Sequence, residues 1–334
     1  MLSPQPPLFN CGSLMENHVL RVFMWILGVG ALIGNAIVVY TRLRMKTTSR
    51  IQAVQNFFVV NLGFSDFLMG VYMLILASVD IYYGDEYFIY SEEWRSSPMC
   101  KFAGFICLLS SETSVLFLTV ITFDRLIGAG FPLNRRKFSP RSAKITGCIV
   151  WLLTVSVSVI PIMTAGPDSD WYDLSDVCIG LPLITRPSSF VFQASGVGDD
   201  LSFDLPVAKD TKPAWFFSIA LFLGVNLLCF IAMLVCYVIL FIQVRRSRLQ
   251  AGRTEGHDEE IRLAIRMSVI VGTDMLCWTP VIIMGILSQT GAIVIPLEAY
   301  IWSVVFILPI NSSVNPYLYT LAALISGKEK TTDH

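Results

Sequence analysis

Read for hydrophobicity alone, the chain alternates between seven long apolar runs and shorter polar ones, the runs falling near 22–42, 53–79, 101–127, 145–165, 214–241, 262–288 and 298–321. A helix rises about 1.5 Å per residue, so roughly 20 apolar residues cross a hydrocarbon core about 30 Å thick. Each run is long enough. Backbone polar groups in lipid must be satisfied internally, which a helix does within one segment. The pattern therefore predicts an all-α fold, a seven-transmembrane helix bundle surrounded by membrane lipid, with the runs numbered spans one to seven in chain order.

Composition agrees. The chain of 334 residues is 54% hydrophobic and only 15% charged, against about 25% charged in soluble proteins. That excludes a water-soluble surface, and the near-neutral balance of 24 Lys and Arg against 25 Asp and Glu suggests no nucleic-acid partner. Position is more informative than the sum. Eighteen of the 24 basic residues fall in 41–52, 125–144, 243–266 and 322–334, and basic residues in short loops mark the cytoplasmic side. The N-terminus is thus expected outside and the C-terminus in the cytoplasm, in a multi-pass protein of the plasma membrane. Three parts follow: an extracellular juxtamembrane segment 1–20, a membrane domain 21–321 and a short tail 322–334. Nothing at the N-terminus resembles a removable signal peptide.

The long outer connection before span five carries Asp168, Asp170, Asp173, Asp176, Asp199, Asp200, Asp204 and Asp210. It reads either as a solvated acidic loop or as a field that steers a cationic ligand. Cys107, Cys148, Cys229, Cys236 and Cys277 lie inside spans, where a thiol simply packs. Cys100 opens span three and Cys178 lies in the acidic loop, so both face the oxidising side at one membrane level. A Cys100–Cys178 disulfide is expected, and loop closure alone gives it about 4.5 kcal/mol, less here because the membrane already tethers both ends. Cys11 is left without a partner.

An acidic side chain near a helix centre costs on the order of 2.5–3.5 kcal/mol in lipid, so each needs an account. Asp66, Glu112, Asp124 and Asp274 are such groups, and of these only Asp124 has a neighbouring cation, Arg125. Asn35, Ser114, Asn311 and Asn315 fall at depths that converge with Asp66. The cluster reads either as a site for a sodium ion, held by Asp66, Ser114, Asn311 and Asn315, or as interhelical hydrogen bonding around an uncharged Asp66. Pro161, Pro280, Pro309 and Pro316 permit kinks. Trp278, one turn from Pro280, is placed to sense what enters the bundle or to pack within it.

Six motifs in chain order resemble those of the rhodopsin-like G-protein-coupled receptors: Gly34-Asn35, Asn61-Leu62-Gly63-Phe64-Ser65-Asp66, Asp124-Arg125, Trp151, Cys277-Trp278-Thr279-Pro280 and Asn315-Pro316-Tyr317-Leu318-Tyr319. Within that family Leu20-Arg21-Val22-Phe23-Met24-Trp25, Met69-Gly70-Val71-Tyr72, Gly224-Val225-Asn226-Leu227-Leu228, Thr273-Asp274 and Phe306-Ile307-Leu308-Pro309-Ile310-Asn311-Ser312 resemble the leucine-rich-repeat receptors, above all the relaxin-receptor branch. Leu126 departs from the family's usual Tyr and Cys229 from its usual proline, though the leucine-rich-repeat receptors also lack that proline. The resemblance implies a leucine-rich-repeat ectodomain, expected to be missing ahead of residues 1–20.

The resemblance further implies a switch. An outer peptide or protein hormone, relaxin-like or glycoprotein in type, favours a state in which span six swings outward to admit a heterotrimeric G protein, of the cyclase-stimulating type in the relatives. Asn35, Asp66, Ser114, Asp274, Trp278, Asn311 and Asn315 form the polar switch, with Asp274 facing Asn311 and Asn315. Asp124, Arg125, Tyr237 and Tyr319 meet the G protein. Span seven has no lysine for a retinal Schiff base, and Cys107 stands where amine receptors carry Asp. The rival reading is an ion-coupled secondary transporter, since intramembrane carboxylates also mark ion pathways, although no internal repeat is evident. An enzyme is not expected: His18, His257 and His334 lie outside the spans and no triad or metal cluster is present. No cofactor beyond sodium is called for.

Overall fold

The computed structural model describes residues 13–15, 17–47, 49–130, 138–164, 176–179, 193–195, 202–204, 217–218, 220–249, 271–284, 286–287, 302–307 and 309–318. Span one is the helix His18–Arg44, started by Asn17, whose side chain accepts from Val19 N, and ended with Arg42 and Arg44 in the last turn, where cations suit the helix dipole. Span two is Arg50–Tyr83, capped by Ser49. Span three is Pro98–Arg125, with Ser97 as its N-cap and Pro98 in the first turn, where a missing N–H costs nothing. Span four is Pro140–Thr164. Span five contains a wide π-helical turn, Ala220–Asn226, followed by the helix Leu227–Leu249. Span six is represented by Val271–Met284. Span seven has a π-helical turn, Ser303–Ile307, and is helical over 309–318. Pro309 has no N–H to return to residue 305, so a regular α-turn cannot close there.

Spans one and two run past their apolar runs at both ends, their starts fixed by the side-chain caps Asn17 and Ser49. Among the described residues five helices are long and apolar enough to cross a membrane. Hydropathy does not foretell the outer helix Tyr87–Ser96, joined to span two by a 3₁₀ turn at Gly84–Glu86. A short antiparallel pair, Gln193–Ser195 with Ser202–Asp204, is added to the helical bundle in the outer connection.

Span three runs through the middle of the bundle, with Val115 and Phe117 fully buried. Ile26, Ile33 and Ile37 of span one, Ile149, Leu152 and Leu153 of span four, and Leu228, Leu234 and Val238 of span five face outward. Such a surface needs lipid as its solvent. Spans one and two approach so closely that a Cβ on Gly70 would lie 2.6 Å from the Leu32 backbone nitrogen. Polar stitches join the inner helices: Trp151 Nε1 donates to Asn61 Oδ1 at 2.9 Å, Thr113 to Thr154 at 2.9 Å and Ser110 Oγ to the Ser65 carbonyl at 2.7 Å.

Candidate functional site

Inside the bundle the structure builds two carboxylate centres, at Asp66 and Asp274. Asp66 is fully buried. Its Oδ1 accepts from Ser312 Oγ at 3.0 Å and Ser114 Oγ at 3.3 Å, and its Oδ2 from Asn315 Nδ2 at 2.8 Å. Asn35 joins from span one, donating to the Ser312 and Ala31 carbonyls at 2.8 Å each. Four spans thus meet at one group. Asp274 of span six accepts from Asn311 Nδ2 at 2.9 Å, while its Oδ2 has no partner among the described residues.

Of the expected contacts, Asn311 with Asp274 and Asn315 with Asp66 are present. The expected cluster is corrected in that each asparagine serves one carboxylate, not both. The two asparagines lie one helical turn and about 6 Å apart along the axis, so they serve different carboxylates. Ser312, which sequence reasoning passed over, is the additional donor, and its place three residues before Asn315 puts both on one helix face. The residues suited to sodium are accordingly Asp66, Ser114 and Ser312, whose oxygens are hard donors. Asn311 and Asn315 present amide N–H groups to their carboxylates and so act as hydrogen-bond donors. Trp278 packs its ring 6.2 Å from that of Phe230 on span five.

Glu112, left without a partner by the sequence, accepts from Asn226 Nδ2 at 3.1 Å. Asn226 closes the π-helical turn of span five, and a local change of helical pitch is invisible to hydropathy. At the inner end Arg125 pairs with Asp124, while Leu126 and Tyr237 both pack against Leu240 of span five. Tyr319 lies outside the described residues.

The outer end is organised by two further carboxylates. Asp176 Oδ1 accepts from Arg95 Nη1 at 2.8 Å and Tyr87 OH at 2.9 Å, and the Asp176 carbonyl accepts from Trp94 Nε1 at 2.9 Å. Burial, then the neighbouring Asp176 carboxylate, pushes the Tyr87 phenol above its ordinary value. Tyr72 OH donates to the Val177 carbonyl at 2.7 Å, and the expected Cys100–Cys178 disulfide is present, its Cα atoms 5.3 Å apart. Cys178 has φ 52, a left-handed conformation that L residues with a Cβ adopt only where neighbours hold them. Asp80, nearly fully buried on span two, accepts from Arg21 Nε at 2.6 Å and from the Met15 backbone N–H at 2.9 Å. Sequence reasoning missed this pair because no motif links the starts and ends of antiparallel helices. Of the acidic outer residues, Asp168, Asp170, Asp173, Asp199, Asp200 and Asp210 lie outside the described residues, as do Cys11 and the tail.

Residues 34–319 match the sequence pattern of the family described as 7 transmembrane receptor (rhodopsin family). The chain belongs to that family. It is 38% identical over 321 residues to the G-protein coupled receptor GRL101 of Lymnaea stagnalis, covering 96% of this chain and 26% of that protein. It is 30% identical to human relaxin receptor 2, over 92% of this chain and 38% of the receptor. The chain therefore spans well under half the length of the curated relatives it matches. Crystalline squid rhodopsin shares the fold at a TM-score of 0.63 and 22% identity, over 90% of this chain and 76% of that one. Relaxin receptors are among its relatives, as the resemblance implied, the chain is a multi-pass membrane protein, and its relatives are receptors rather than enzymes.

Proposed function

We propose that this chain is the membrane-spanning transducer of a plasma-membrane hormone receptor, with its N-terminus outside. An extracellular peptide or protein hormone of the relaxin or glycoprotein type shifts the bundle between two states, and the cytoplasmic end then releases GDP from a heterotrimeric G protein of the cyclase-stimulating kind. The observation that carries this reading is the similarity of almost the whole chain to part of a receptor named for relaxin.

The proposed polar switch supplies a mechanism. A ligand moves an equilibrium only by its differential affinity for the two states, and a swing from 1:99 to 99:1 needs about 5.5 kcal/mol. Contacts each contributing about 1–3 kcal/mol, such as Asn311 with Asp274, suit such a switch. Sodium, held by Asp66, Ser114 and Ser312, would add a positive charge that ties spans two, three and seven together and favours the resting state.

The test uses the chain in lipid nanodiscs with purified G-protein heterotrimers. Nucleotide exchange above the receptor-free rate, lost in Arg125→Ala at equal folded receptor, supports the reading. Absence of exchange with every G-protein class, together with solute uptake into vesicles, overturns it in favour of a transporter. Replacing sodium by choline at constant ionic strength should raise basal exchange in the parent chain but not in Asp66→Asn. An equal response in both removes sodium.

A further inference from the structure

The inner end of span two carries two consecutive amides that face different neighbours. Asn56 accepts from Arg42 Nη1 of span one at 3.1 Å. Gln55 faces span three and the guanidinium of Arg125. A guanidinium offers donors only, so the Gln55 amide sits with its oxygen toward it. That oxygen accepts from Nη2 at 3.1 Å and also from Nη1, while Asp124 takes Nη2 as well. Arg125 is 5% exposed, so a cation proposed to meet a soluble protein is withdrawn from the inner surface.

Asp124 cannot by itself report a movement of helices, because it rides on the same span as Arg125. Gln55 can, since its contact crosses from span two to span three. Leu126 supplies no polar hold either, packing instead against Leu240 of span five. Nothing in the hydropathy or the motifs singles out Gln55, which lies at the inner end of the predicted span two. The contact is also of a kind that matters: hydrogen bonds to charged groups contribute more than neutral ones.

We propose that Gln55 is a positioning residue that retains Arg125 in its withdrawn conformation, so that presenting Arg125 to a G protein requires breaking a contact between spans two and three. This rests on the role proposed for Arg125.

Two measurements test it on the full chain in nanodiscs, without agonist. The first is basal nucleotide exchange on the heterotrimer. Gln55→Leu, which keeps the volume and removes the acceptor, should raise it on the order of tenfold, whereas Gln55→Glu, a stronger acceptor, should lower it below the parent. A merely structural role would move both variants the same way, and that result, or no change in Gln55→Leu, overturns the proposal. The second is a cycle of melting temperatures for Gln55→Leu, Arg125→Ala and the double variant, which needs no G protein. Non-additive shifts are expected and additive shifts overturn the contact. Non-additive shifts with no exchange by any variant, the parent included, would overturn both the positioning role and the receptor reading while leaving the contact itself standing.

Discussion

Replacing Asp274 by Ala removes the acceptor that Asn311 uses across spans six and seven at 2.9 Å. Asp274 is 3% exposed and Asn311 6%, so water does not readily replace the lost partner. A hydrogen bond to a carboxyl group in such a place contributes about 1.4 kcal/mol, within the range found by mutation. If that contact belongs to the resting bundle alone, its loss multiplies the active-to-resting ratio about tenfold. A receptor resting near 1:99 would then stand near 1:10. The change is large for signalling and small for folding, because removing Asp274 also relieves a buried oxygen, Oδ2, that has no partner among the described residues. The assay is basal cyclic AMP in cells expressing parent and variant at matched surface density, with exchange on purified heterotrimer as a check. Asp274→Asn keeps an acceptor oxygen and should fall between the two. Unchanged basal output in Asp274→Ala at equal surface density would refute the reasoning, since it would mean the contact is equally strong in both states.

The other expectations are structural. Gly70→Val should destabilise the bundle by about 1–3 kcal/mol, because its Cβ would meet the Leu32 backbone at 2.6 Å; a lower melting temperature in detergent and reduced surface delivery would show it, and a parent-like melting curve would refute it. Cys178→Ser should cost less than the roughly 4.5 kcal/mol of the loop-closure formula, with Asp176 and Val177 still held by Arg95, Tyr87 and Tyr72. Faster proteolysis of the outer connection, without global unfolding, is the expected result. Arg21→Ala should strip Asp80 of its cation and lower the melting temperature more than Arg21→Lys, a ranking that thermal denaturation of the two variants checks directly.

Much of the bundle was legible without coordinates. Depth in a membrane is a property of the local sequence, because a run of about 20 apolar residues reports its own burial in lipid whatever packs beside it. The same logic marked Asp66, Asp274 and Glu112 as groups needing partners, and placed Cys100 and Cys178 on one side of the membrane. Rotation is different. Which way a helix turns about its axis depends on its neighbours, so the division of Asn311 and Asn315 between two carboxylates, and the entry of Ser312, emerged only once spans two, six and seven were packed together. The π-helical turn that brings Asn226 to Glu112, the outer helix that carries Tyr87, Trp94 and Arg95 to Asp176, and the reach of Gln55 to Arg125 likewise arise from packing. Hydropathy is a sum along one dimension, whereas a hydrogen bond between helices needs a height, an angle and a distance to agree at once.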